Sequence, residues 1–276
     1  MLERALESQA GLQILGVKKE YPNGTLALDN IDLTIAPGEF VCLLGPSGCG
    51  KSTLLNIVAG FVPPTAGKVV ANGREVNAPG PDRAMVFQEY ALFPWLTVAE
   101  NVAFGLVERR EERARIDAVV TGFLTKLGLT EFRDRYPREL SGGMRQRVAI
   151  ARALAIDSRT LLMDEPFGAL DALTRRTLQD ELLRIWGELR KTVLFVTHGI
   201  EESLYLADRV VVLTYRPGTV KRIVQITLPR PREPGMPGFN ELLRELTLLV
   251  MEEQRRHEKA EEWGVAGAAH KDGSPA

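Results

Sequence analysis

The chain has 276 residues, room for one large domain or for a domain with a smaller appendage. Hydrophobic residues make up 45% and charged residues 26%, an ordinary globular balance, and a formal net charge of -1 argues against binding nucleic acid by bulk electrostatics. The longest apolar run, "FVCLL", is about five residues against the roughly 20 of a membrane span, and the first ten residues lack a basic-then-apolar leader. With only Cys42 and Cys49, which read as reduced thiols, the expectation is a cytosolic chain unless a partner tethers it.

In chain order, residues 12–21 and 31–35 predict strands joined through the turn "PNG". Residues 40–45 predict a buried strand that runs into a glycine-rich turn and then a helix capped by Gly60. Residues 67–76 predict another strand. Residues 98–130 predict mostly helix, with "ERREERARID" as a solvated face. Ser141 is placed to N-cap a helix reaching Ile156. "TLLMD", "TVLFVT" and "RVVVL" are further buried-strand runs, with a helix over about 171–190. This alternation predicts an α/β fold, a parallel sheet covered on both faces. After "LPRPREPGMPG" a helix resumes with Phe239, Leu242, Leu243, Leu246, Leu249 and Val250 on one face. Residues 264–276 are low in complexity and are expected to be disordered.

"GPSGCGKST", residues 45–53, matches a phosphate-binding loop at every constrained position. Gly45, Gly48 and Gly50 let the backbone turn its N–H groups inward, and those donors with the following helix start make a nest for phosphate oxygens. Pro46, Ser47 and Cys49 complete the loop, and Cys49 needs only to be small. Lys51 supplies a point charge for the β- and γ-phosphates, Ser52 a hydroxyl ligand for Mg²⁺, and Thr53 follows on the helix. A chance glycine-rich turn is the alternative, and the strand before and helix after it count against that. "LLMDEP", residues 161–166, supplies a second part: Asp164 ends a buried strand, where a Mg²⁺ shell would remove the cost of an unpaired carboxylate, and Glu165 is placed as the general base for an attacking water. Adenylate-type kinases, GTPases and helicases all stay open at this point; the absence of an "NKxD" guanine-reading motif weakens the GTPase reading.

"LSGGMRQR", residues 140–147, lies about 20 residues before "LLMDEP" and resembles the signature sequence of ATP-binding cassette (ABC) proteins; its serine and paired glycines at a helix start would form a second anion site. Other elements match that family in order: Tyr21 where the family has an adenine-stacking aromatic, Gln88 in "VFQ" at the Q-loop, "GALD" ending in Asp171 at the D-loop, and His198 in "VTHG" as the switch histidine. One departure is Gly199, where the family often has Asp. The resemblance covers about residues 12–225. It implies a P-loop NTPase fold over 12–230: a RecA-like core lobe, an antiparallel β subdomain and a helical signature lobe at about 90–157, followed by a C-terminal helical extension at 231–263. It also implies a head-to-tail homodimer with each ATP held between Lys51 of one chain and Ser141, Gly142 and Gly143 of the other. Gln88 would bridge Mg²⁺ or the water to the helical lobe, and His198 would hold the γ-phosphate and the attacking water.

The segment "YALFPWLTVAENV", residues 90–102, follows the Q-loop, where transporters of this family receive a short helix from a membrane permease. The resemblance implies that Phe93, Trp95 and Leu96 are partly exposed and buried by that partner, with Pro94 stiffening the loop; packing between two lobes of the same chain is the alternative. "GPDRAMVFQEYALFPWLTVAENVAFGL" and "ADRVVVLTYRPGTV" resemble the cassettes of nitrate, sulfonate, taurine and bicarbonate importers. The implied complex is two cassettes, two permease subunits and a solute-binding protein, working without nucleic acid at the cytoplasmic face of the inner membrane. A split exporter and a soluble cassette acting on nucleic acid or the ribosome are the competing readings; the latter usually carry two cassettes or a long coiled coil between phosphate loop and signature, and residues 54–139 show no sustained heptads.

Overall fold

The structure, a computed structural model, describes residues 11–269, with side chains described to residue 259. Its strands are β1 (Leu12–Glu20), β2 (Leu26–Ile35), β3 (Phe40–Leu44), β4 (Ala66–Ala71), β5 (Arg74–Glu75), β6 (Arg83–Val86), β7 (Thr160–Asp164), β8 (Thr192–Thr197), β9 (Arg209–Leu213) and β10 (Val220–Gln225). Its helices are α1 (Lys51–Ala59), α2 (Val98–Glu108), α3 (Arg113–Lys126), α4 (Gly142–Ala155), α5 (Ala172–Leu189), α6 (Ile200–Leu206) and α7 (Phe239–Ala269).

The strands form two sheets. One has the order β10-β9-β3-β8-β7-β6, parallel from β9 to β6, with β10 antiparallel on the edge. The other, β2-β1-β4-β5, is antiparallel. Successive side chains on a strand point to opposite faces, and here that alternation separates two cores. Phe40, Cys42 and Leu44 of β3, with Met163 and Phe195, lie in the core that the helices α2 to α7 share. Val41 and Leu43, with Leu162, Leu194 and Val196, lie in the core beneath α1 and the antiparallel sheet. Each such side chain, fully buried, contributes about 1.5–3 kcal/mol, so β3 is fixed from both sides.

The expected α/β alternation is present, with local differences. The single strand expected at 67–76 is a hairpin, because Asn72 and Gly73 both take positive φ and turn β4 back into β5. The helix expected over 98–130 is broken between Glu108 and Arg113. Val98, Val102 and Leu106 anchor α2, and Val120 and Leu124 anchor α3. The charged run between them carries no apolar stripe, and Arg109 instead donates to the carbonyls of Ile156 and Pro81 at 2.6 and 3.0 Å. The strands β6 and β10 and the short helix α6 were not expected. β10 sits at the sheet edge and buries only Val224, so its sequence has no apolar run to read.

The expected apolar face of the C-terminal helix does pack: Phe239 and Leu246 are buried and Leu242, Leu243, Leu249 and Val250 lie against the same core. Glu253 on α7 is fully buried and accepts from Tyr215 N–H at 2.9 Å and from Lys221 Nζ at 2.6 Å. Arg232, 1% exposed, donates to the carbonyls of Leu204, Ala207 and Leu228, so the linker is fastened to α6. The α7 backbone continues past residue 263 to Ala269; the rest of the tail expected to be disordered, 270–276, lies outside the described residues.

Candidate functional site

Ligand sites of open α/β sheets lie beyond the carboxyl ends of the parallel strands, and four neighbouring strand ends here each deliver a motif. β3 ends at Leu44 and enters the glycine-rich loop; β8 ends at Thr197 before His198; β7 ends at Asp164 before Glu165; β6 leads to Gln88. The register is fixed, with Leu44 beside Thr197 and Asp164 beside Val196.

Lys51 opens α1 with its ammonium turned under the loop, donating to the carbonyls of Gly45 and Pro46 at 2.8 and 2.9 Å. Gly50 has φ 96, and a Cβ there would lie 2.6 Å from Leu28 Cδ2, so neither the conformation nor the space admits a side chain. Pro46 and Cys49 are buried and Ser47 and Gly48 exposed, and burial raises the Cys49 thiol pKa. Arg216, within the "ADRVVVLTYRPGTV" segment, donates to Gly48 O at 3.1 Å and braces the loop. The hydroxyls of Tyr21 and Thr53 lie 3.3 Å apart, which sets the partly exposed Tyr21 ring beside α1.

Ser52 Oγ donates to Asp164 Oδ1 at 3.0 Å. Burial pushes the Asp164 carboxyl up, the Ser52 bond pulls it down, and the neighbouring Glu165 pushes it up again. A hydroxyl and a partly buried carboxylate converging in this way form an oxygen donor set that fits a hard divalent cation. Gln88 is exposed on its loop.

Glu165 Oε2 and His198 Nδ1 lie 3.0 Å apart. Glu165 holds φ 42, a left-handed conformation uncommon for a residue with a side chain, and its N–H bonds Val196 O at 3.0 Å. Beside the pair opens a cavity of about 650 Å³, bounded on its other side by Arg232, Phe239 and Leu243 of the C-terminal extension.

The signature residues lie at the start of α4. Ser141 N-caps α4, accepting from Met144 N–H at 3.3 Å. A Cβ on Gly143 would lie 2.6 Å from Thr174 Cγ2, so this glycine lets the start of α4 approach the start of α5. There Asp171 is the N-cap, and the Thr174 N–H at 3.0 Å holds its carboxyl below the usual range. The structure thus joins Ser52 to Asp164, Glu165 to His198 and Tyr21 to Thr53; it does not hydrogen-bond Ser141 or Asp171 to that group within one chain.

Sequence reasoning missed Arg152, one of the basic residues in the helix after the signature. It donates to the carbonyls of Ala91 and Tyr90 at 2.7 and 3.1 Å and sits 5.4 Å from the centre of the Phe93 ring. The loop after Gln88 is therefore fastened to α4. Phe93 is partly buried against Phe104, with ring centres 4.4 Å apart, whereas Trp95 is 69% exposed. Phe93 thus packs within the 90–157 segment, on α2 and beside α4, and not between two lobes, while Trp95, Phe104 and Val107 are exposed to different degrees.

A family model described as "ABC transporter" matches residues 28–168. The chain is 49% identical to the bicarbonate transport ATP-binding protein CmpD of Synechocystis over 233 residues, 82% of this chain and 83% of the relative. It is 50% identical to the nitrate import ATP-binding protein NrtD of Synechococcus elongatus over 211 residues, 75% and 77% of the two chains. Its fold is similar to that of an ATP-binding cassette in a dimeric post-hydrolysis state bound to ADP and phosphate (TM-score 0.69, 34% identity), covering 79% of this chain and all of the other.

Proposed function

This chain belongs to the ABC transporter family, and on that premise we propose that it is the ATP-hydrolysing subunit of an importer for a small anion of the bicarbonate, nitrate or sulfonate type. The observation that carries the reading is the convergence, at adjacent strand ends, of the Lys51 loop, the Ser52–Asp164 pair and the Glu165–His198 pair. The loop N–H groups and Lys51 bind the triphosphate. Ser52 and Asp164, with Gln88, would hold Mg²⁺, which supplies charge neutralisation between the phosphates when bound. Glu165 accepts the proton of the attacking water, and His198, within hydrogen-bond reach of Glu165, orients that water and the γ-phosphate.

The positive end of α4 is opened by Ser141, Gly142 and Gly143. In a head-to-tail dimer it would face the γ-phosphate held by the other chain, with Asp171 at the shared boundary. ATP then draws the two chains together and hydrolysis releases them. The dimeric cassette with ADP and phosphate supports this arrangement.

Among the described residues no helix is long and apolar enough to cross a membrane. In this reading a permease subunit does the membrane-spanning work, with this chain peripheral to it and a solute-binding protein supplying the solute. Trp95, Phe104 and Val107 form the exposed apolar surface next to the Q-loop that the permease would cover. Trp95→Ala is expected to leave thermal unfolding unchanged, since the ring is mostly in water, and to weaken docking by about 2 kcal/mol, roughly thirtyfold. Undiminished co-purification with the permease would contradict that placement. The test of function is uptake of labelled bicarbonate, nitrate, taurine and an alkanesulfonate in native cells. Cells carrying Lys51→Ala should lose uptake of one of these solutes; export of the same solute, or no change in any, would count against the importer.

A further inference from the structure

His198 is an exposed side chain, 66% accessible, so packing does not hold it. The peptide that follows it, however, is tied down by one buried group. Thr197, 2% exposed, accepts the Gly199 N–H at 2.9 Å and donates its hydroxyl to Glu202 Oε2. The other oxygen of Glu202 accepts from Gln179 Nε2 at 2.8 Å, and Gln179, 5% exposed, lies on α5, the helix that Asp171 caps. The Glu202 carboxyl is thus spent on two positioned donors. Gly199 makes room for this: a Cβ there would sit 3.2 Å from Glu202 Cβ and 3.4 Å from Thr197 Oγ1.

Resting on the ATP-hydrolysis reading above, we propose that Glu202 and Thr197 are positioning residues for His198. Glu202 fixes the direction of the Thr197 hydroxyl, so that the oxygen lone pair is left for the Gly199 N–H. That pins the peptide after His198 and so aims its ring at Glu165. Gln179 holds the second carboxylate oxygen, so the aim of His198 depends on where α5 lies, and α5 begins at Asp171. A misplacement of about 1 Å in a catalytic group costs on the order of 10²-fold in rate, which sets the size of effect to look for.

The experiment is steady-state ATP hydrolysis by the purified full chain carrying Thr197→Val, Thr197→Ser or Glu202→Gln, each alone and combined with His198→Ala. Nucleotide binding and thermal unfolding are read in parallel. Thr197→Val and Glu202→Gln are expected to lower kcat about 10- to 100-fold with the KM for ATP little changed, and Thr197→Ser to keep the rate. In the His198→Ala background the same substitutions should cost nothing further, because what they position is gone. Equal losses in both backgrounds, no loss in either, or a Thr197→Ser rate as low as that of Thr197→Val would overturn the proposal. Should Thr197→Val fail to fold, Glu202→Gln decides alone, its shape being unchanged. A wild-type chain without ATP turnover would sink the functional reading and this proposal together; normal turnover with additive losses sinks only the proposal.

Discussion

Replacing Glu165 by Gln is expected to lower ATP hydrolysis by about 10²- to 10³-fold while leaving nucleotide binding intact. The two side chains have nearly the same shape, and the Glu165 backbone already sits in its left-handed conformation at the end of β7, held by the bond from its N–H to Val196 O. What changes is the ability to take a proton from water. The amide cannot act as a base, and the bond to His198 Nδ1 can be kept by whichever amide atom suits the imidazole tautomer. Binding depends on the loop and on Lys51, which Glu165 does not touch among the described hydrogen bonds. A single-turnover assay with bound ATP isolates the chemical step; hydrolysis at the wild-type rate would show that another group is the base.

The second large effect is on binding. Lys51→Ala should weaken ATP affinity by about 100-fold or more, since removing one partner of a desolvated charge pair costs roughly 2–5 kcal/mol. Lys51 is 5% exposed, and its ammonium is positioned by the carbonyls of Gly45 and Pro46, so its charge is directed into the loop and poorly screened by water. The loop itself should survive, because Gly50 is set by its φ and by its fit against Leu28, and Arg216 holds Gly48 independently. Titration with a fluorescent ATP analogue, alongside thermal unfolding without nucleotide, separates lost affinity from lost fold. Unchanged affinity would contradict the role given to Lys51.

The strand, glycine-rich loop and helix at residues 40–59 were legible in sequence because their pattern is local. A phosphate loop needs glycines and a lysine at fixed spacing on one strand-to-helix turn, and every position of "GPSGCGKST" is where that turn requires it. The caps at Gly60 and Ser141 were legible for the same reason and end and begin their helices as expected, whereas Asp171, read only as the end of the D-loop, is an N-cap that the structure adds. The hairpin at Asn72–Gly73 carried a readable turn signal that the longer apolar pattern of 67–76 hid. Other features were not readable in principle from local pattern. Arg152 reaches Ala91 and Tyr90 across about sixty residues of chain, and Gln179 meets Glu202 from a different helix. Such contacts exist only once the sheet order has brought α4 and α5 to their neighbours. The division between Phe93, packed on Phe104, and Trp95, left in water, likewise depends on where α2 lies.

In the proposed mechanism ATP joins two copies of this chain and hydrolysis at Glu165 separates them. Light scattering of purified Glu165→Gln, with and without ATP and Mg²⁺, tests it most directly. The expected mass is the 30.5 kDa of one chain without nucleotide and twice that with ATP, falling back when Ser141→Arg is added to the same chain. A mass that stays at one chain with ATP bound, or a dimer indifferent to both ATP and Ser141, would contradict it.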